Sequence, residues 1–74
     1  MATIQQGEST DIDGAQSVQV VNLDDDKSGS YDITGDGIAI NKQIPGGDTQ
    51  TENVYGNPVE VTNTGKPALE VTGV

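Results

Sequence analysis

The densest set of side chains able to do chemistry lies in one stretch, Asp24-Asp25-Asp26-Lys27-Ser28-Gly29-Ser30-Tyr31-Asp32. Asp24, Asp26, Ser28, Gly29 and Asp32 fall at positions 1, 3, 5, 6 and 9 of a calcium loop, where alternate oxygen ligands and a glycine wrap the chain around a hard cation. Position 12 of such a loop is a bidentate Glu, whereas here it is Gly35, and neither flank has helical periodicity. Asp24, Asp26, Ser28 and Asp32 are therefore candidate calcium ligands, set against the plainer expectation of a solvated acidic hairpin loop. Glu60 and Glu70 form a second cluster. If Val61 pairs with Leu69, Glu60 faces Glu70, an unfavourable like-charge pair. A cation or a basic partner would relieve it, and so would a two-residue slip of register or an arch between two sheets.

What is missing narrows the chemistry further. The chain has no His and no Cys, which removes Ser-His-Asp and Cys-His nucleophilic arrangements and conventional zinc sites. A carboxylate pair doing acid/base work needs a cleft that raises one pKa, and so short a β chain can hardly build one. Its glycines sit in turns with no helix behind them, so no phosphate cradle is implied. The expectation is a protein that is not an enzyme and has no cofactor apart from the candidate calcium. A formal charge of -9 repels nucleic-acid backbones and anionic membranes. The N-terminal residues have neither a basic nor an apolar targeting region, and no stretch has the apolar length of a membrane span.

The elements that must position these residues read as short strands. Val59 and Val61 share one parity, as do Leu69 and Val71, with Asn63-Thr64-Gly65-Lys66-Pro67 making the corner between the two runs. Further strands are predicted at Ala2–Gln6, Ser9–Ile12, Ser17–Leu23, Ser30–Thr34, from Ile38 onward and, weakly, at Thr49–Tyr55, with Tyr31 to Ile40 forming a hairpin over Gly35-Asp36-Gly37. In Ser17–Leu23 the apolar residues occupy both parities, which predicts a central strand covered on both faces, the alternative being a bulge near Val20-Val21 that re-aims the side chains. No helical pattern is present. The fold expected is all-β, a small sandwich or barrel of about seven or eight short strands, immunoglobulin-like or jelly-roll-like. Residues 1–74 make one domain, with 1–12 as a possible extended arm.

Sixteen large aliphatic residues, with no Phe and no Trp, make a thin core for a chain of this length. Such a chain either lies near the borderline of disorder or has the missing burial supplied by neighbouring subunits, the reading expected here, with Ile4, Ile12 or Ile44 covered by a sister copy or by the surface it binds. The stretch VEVTNTGKPALEVTGV resembles the strand-corner-strand of immunoglobulin-like sandwich repeats in surface-protein and scaffold arrays, which implies a two-sheet architecture. As a whole the chain is similar to the small acidic all-β decoration, or cement, proteins on the heads of tailed phages and archaeal viruses. That resemblance implies a virion structural protein made in the host cytoplasm and bound to the major capsid protein on the outer capsid surface. It would act as a homo-oligomer, a trimer being the expected state, and stabilise the shell. The alternative is an extracellular immunoglobulin-like binding or adhesion module, dependent on calcium.

Overall fold

Period-two alternation becomes eight strands and no helix in the computed structural model, which describes residues 1–74. The strands are β1 (Ala2–Ile4), β2 (Ser9–Ile12), β3 (Ser17–Asn22), β4 (Gly29–Gly35), β5 (Ile38–Ile44), β6 (Thr49–Asn53), β7 (Val59–Asn63) and β8 (Leu69–Gly73). Two four-stranded antiparallel sheets result, ordered β1-β8-β3-β6 and β2-β7-β4-β5. The first strand pairs with the last, the second with the seventh, the third with the sixth and the fourth with the fifth. Those ladders are the rungs of one long hairpin, closed at Asp36-Gly37 and rolled up so that successive rungs fall in alternate sheets. This is a jelly roll. An immunoglobulin sandwich groups its strands differently, first-second-fifth-fourth against third-sixth-seventh, so of the two architectures expected the strand order selects the jelly roll.

The inward faces of the four central strands supply most of the core: Val18 and Val20 from β3, Tyr31 and Ile33 from β4, Val59 and Val61 from β7, Leu69 and Val71 from β8. Ile4, Ile44 and Val54 close its ends, while Ile12, Ile38 and Ile40 pack against it half-buried. Ile4 and Ile44, expected against a sister copy, are thus inside their own chain. Their strands lie at sheet edges with the inward parity, where the core's flank is open to them. β3 is central but covered on one face only, contrary to expectation. Its inward parity runs Val18, Val20, Asn22, so Val21 is half-buried on the outer face and Leu23 is 48% exposed. Residues 1–12 are folded into the body as β1 and β2, one edge strand in each sheet.

Asn22 and Asn63 occupy core positions and fix two of the corners where the chain crosses between sheets, β3 to β4 and β7 to β8. Asn22 Nδ2 donates to the carbonyls of Lys27 (2.8 Å) and Ile44 (3.1 Å), and its Oδ1 accepts from Asp24 N–H (3.0 Å). Asn63 Nδ2 donates to Pro67 (2.8 Å) and Ile4 (3.0 Å), and its Oδ1 accepts from Gly65 N–H (2.9 Å). Each amide thereby satisfies backbone groups that a sheet-to-sheet corner takes out of the ladders. No buried side-chain polar atom lacks a partner.

The likeness of the two corners extends over the whole chain. Advancing every strand by four turns the order β1-β8-β3-β6 into β5-β4-β7-β2, which is the second sheet read backwards. Registers follow. Ile4 lies opposite Leu69 as Ile44 lies opposite Gly29, and Ser9 opposite Thr62 as Thr49 lies opposite Val21. Asn22 N–H donates to Asp48 O and Asn63 N–H to Glu8 O, each at 3.0 Å. Only the central ladders depart, by two residues, with Asn63 opposite Tyr31 and Asn22 opposite Leu69. The roll therefore has a pseudo-two-fold axis relating residues 1–35 to 38–74.

Candidate functional site

The calcium pattern at Asp24 to Asp32 is not gathered into a site. Asp24 Oδ1 turns back to accept from the N–H groups of Asp26 (2.8 Å) and Lys27 (3.0 Å). Those two hydrogen bonds hold its carboxyl below the ordinary carboxylate range. Asp32 lies outside the corner, on the outer face of β4, where Asn41 Nδ2 donates to it. Asp26 and Ser28 remain on the exposed loop. Nowhere do three Asp, Glu, His or Cys side chains converge as a metal site requires. The corner is held from inside by Asn22, whose Nδ2 donates to the Lys27 carbonyl.

Glu60 and Glu70 do not meet either, because β7 and β8 lie in different sheets and the corner between them is an arch. Glu60 stands opposite Asp11 and Thr34, and Glu70 opposite Thr3 and Val21. A like-charge rung does exist. It is Asp11 against Glu60.

A polar group closes the flank between the edge strands β5 and β6. The Tyr31 hydroxyl, at the end of a buried ring, lies 2.8 Å from Gln50 Oε1 and 3.3 Å from Glu52 Oε1, and its single proton serves the two acceptors. Lys42 Nζ stands 3.7 Å from Glu52 Oε1, and Gln50 Nε2 donates to the Gln43 carbonyl. Burial first, then the charge and hydrogen bond of Glu52, push the Tyr31 hydroxyl well above the usual tyrosine range, so the phenol stays protonated. Lys42 and Glu52 share the inward parity of edge strands, a placement that discourages another strand from pairing there.

The two outer faces differ in charge. On the sheet β2-β7-β4-β5 one row runs Asp11, Glu60, Thr34, Ala39 and the next Ser9, Thr62, Asp32, Asn41, tied by Ser9 Oγ to Thr62 Oγ1 at 2.8 Å. Three carboxylates stand there with no basic residue among them. An open cleft of about 450 Å³ beside Asp11, Asp13, Gln16 and Gly73 carries that acidic surface round the end of the roll. On the sheet β1-β8-β3-β6 the rows run Thr3, Glu70, Val21, Thr49 and Thr72, Gln19, Thr51. Glu70 is the one charge in them, and Val21 with Leu23 supplies apolar surface.

The pseudo-two-fold makes the contrast exact in position: the rung Asp11–Glu60 corresponds to Thr51–Gln19. Sequence reading attended to the acids and passed over Thr3, Gln19, Thr51 and Thr72. Their signal was available, as outward-parity positions without charge in a chain of charge -9. No protein-family model matches this chain, and no curated protein matches it.

Proposed function

We propose that this chain is a non-enzymatic virion structural protein that binds the outer capsid surface as a homo-oligomer and stabilises the shell. It seats the charge-poor outer face of the β1-β8-β3-β6 sheet, where Glu70 is the one charge in the rows, on the major capsid protein and turns the acidic face to solvent. The observation that carries this reading is the unequal division of charge between the two outer faces. Protein interfaces are depleted of charge at their centre, and the Thr, Gln and Val21–Leu23 face is where this strongly acidic chain can be desolvated at least cost. Polar hydroxyls and amides there can form direct or water-mediated hydrogen bonds to a partner. The acidic face keeps neighbouring copies soluble and apart from nucleic acid. Many weak seats then act together, since a tethered contact benefits from high effective concentration.

Particle composition tests the reading. Purified virions or virus-like shells from the source of this gene should contain the chain in fixed ratio to the shell protein. Shells made without it should assemble but lose heat or osmotic tolerance. Particles that contain none of it, or a folded protein with no affinity for any shell, would overturn the proposal.

A further inference from the structure

Every ladder of the roll joins the first half of the chain to the second. β1 pairs with β8, β2 with β7, β3 with β6 and β8, and β4 with β5 and β7. No strand of residues 1–35 pairs with another strand of that half, and none of 38–74 with another of its own. The core is shared likewise. Ile4, Val18, Val20, Tyr31 and Ile33 come from one half, Ile44, Val54, Val59, Val61, Leu69 and Val71 from the other. Each corner asparagine also reaches across, Asn22 to the Ile44 carbonyl and Asn63 to that of Ile4. A half taken alone would have its strand edges unpaired and its apolar face uncovered.

The covalent link between the halves is slight. It is the two-residue turn Asp36-Gly37, exposed, with open space around Gly37. Gly37 takes φ +75 to close it, a conformation glycine adopts freely. The turn contributes no core residue. Its role is to keep two complementary halves at high effective concentration.

From these contacts we infer that the half chain is the unit of assembly, the protein being a linked dimer of two equivalent halves, and that where the link does not let one chain close on itself each half takes the complementary half of a second copy. This inference does not rest on the capsid reading. Exchange is a matter of which link connects the halves, since all six ladders are re-formed unchanged in each of the two bodies. In the intact chain exchange has to pass through loss of all the pairing, so the linked monomer persists once folded.

Deleting Asp36 and Gly37 from the full chain tests this. Gly35 then joins Ile38 directly, too short a link for an antiparallel reversal, which takes about two residues, so β4 runs on into β5. The expected product has twice the 7.6 kDa mass of the chain, the spectrum of the parent and a melting temperature that rises with concentration. A folded monomer would overturn the inference. Should the shortened chain fail to fold, the second arm decides: a protease site inserted between Asp36 and Gly37 and cut in the folded protein. The cut protein should keep its spectrum, its fragments should co-elute, and refolding from denaturant should require both and depend on concentration. If one fragment keeps the fold after separation, or the cut protein unfolds, the inference fails.

Discussion

Thr51 opposite Gln19 on one outer face and Asp11 opposite Glu60 on the other stand at equivalent rungs of the same roll, yet one pair is neutral and the other doubly acidic. Folding asks the same of both rungs, a polar residue of outward parity that leaves the inward neighbours to the core. The like-charge rung even costs a little, since carboxylates directly across a ladder repel. Scaffold demands therefore do not explain the difference, and a difference the scaffold does not require is open to serve binding. The internal two-fold supplies the control that makes this visible.

The comparison breaks first if the two halves are not equivalent as scaffolds. Asn63→Ala leaves two buried backbone carbonyls without their donor, and Asn22→Ala one buried and two part-buried ones; at about 1–3 kcal/mol per group, each should lower stability by about 3 kcal/mol. Equilibrium denaturation measures both. Losses that differ several-fold would mean the corners are alike in geometry but not in weight.

Two glycines that face the matched residues Val59 and Val18 carry the contrast into the central ladders. Gly35 stands opposite Val59 as Gly73 stands opposite Val18. A Cβ on Gly35 would lie 2.7 Å from the Pro58 carbonyl oxygen, whereas on Gly73 it would meet side-chain atoms of Ala15 and Ile12 at 3.0 and 3.1 Å. Backbone yields less readily than a side chain at a sheet edge. Gly35→Ala should therefore cost about 2 kcal/mol and Gly73→Ala less than about 1 kcal/mol, within the range for overpacking; thermal melts giving the reverse order would contradict the packing described.

The smallest effect concerns the flank between β5 and β6, which Tyr31 closes with Gln50 and Glu52. Tyr31→Phe removes a hydrogen bond worth about 1 kcal/mol. The phenol's folded pKa is raised above its unfolded value of about 10. Its contribution is accordingly complete below pH 10 and is lost as pH rises from there toward the folded value. Denaturation midpoints taken at pH 8 and pH 11 should fall more for the parent than for Tyr31→Phe, and equal falls would show that the hydroxyl is not held protonated.

Strand positions were legible because burial follows parity. Ser9–Ile12 matches its expected bounds, and the hairpin over Gly35-Asp36-Gly37 lies where alternation reverses. Sheet membership was not legible, since Val59–Asn63 and Leu69–Gly73 show the same alternation whether they pair or arch between sheets. The apolar character of Val21 and Leu23 suggested a second covered face. What it marks is the charge-poor outer surface of the β1-β8-β3-β6 sheet. At Asp24 to Asp32 oxygen spacing imitated a calcium loop, while the nearby Asn22, whose amide organises the corner, looked like any polar residue at a strand end. The internal repeat was readable but faint: Ile4-x-x-Gly7-Glu8-Ser9 returns as Ile44-x-x-Gly47-Asp48-Thr49, and Val18-x-Val20-x-Asn22 as Val59-x-Val61-x-Asn63. Few other residues are shared, because outward positions need only be polar and inward ones only aliphatic.

Exchanging the chemistry of the two rungs shows which outer face meets the shell. Binding to purified shells would be measured for the parent, for Gln19→Glu with Thr51→Asp, and for Asp11→Asn with Glu60→Gln, after each variant is confirmed folded. Charges placed at the centre of a desolvated contact typically cost 2 kcal/mol or more. The first pair should weaken attachment by at least about ten-fold, and the second should leave it within about two-fold of the parent. Attachment that survives the first pair and is lost with the second would place the contact on the acidic face instead.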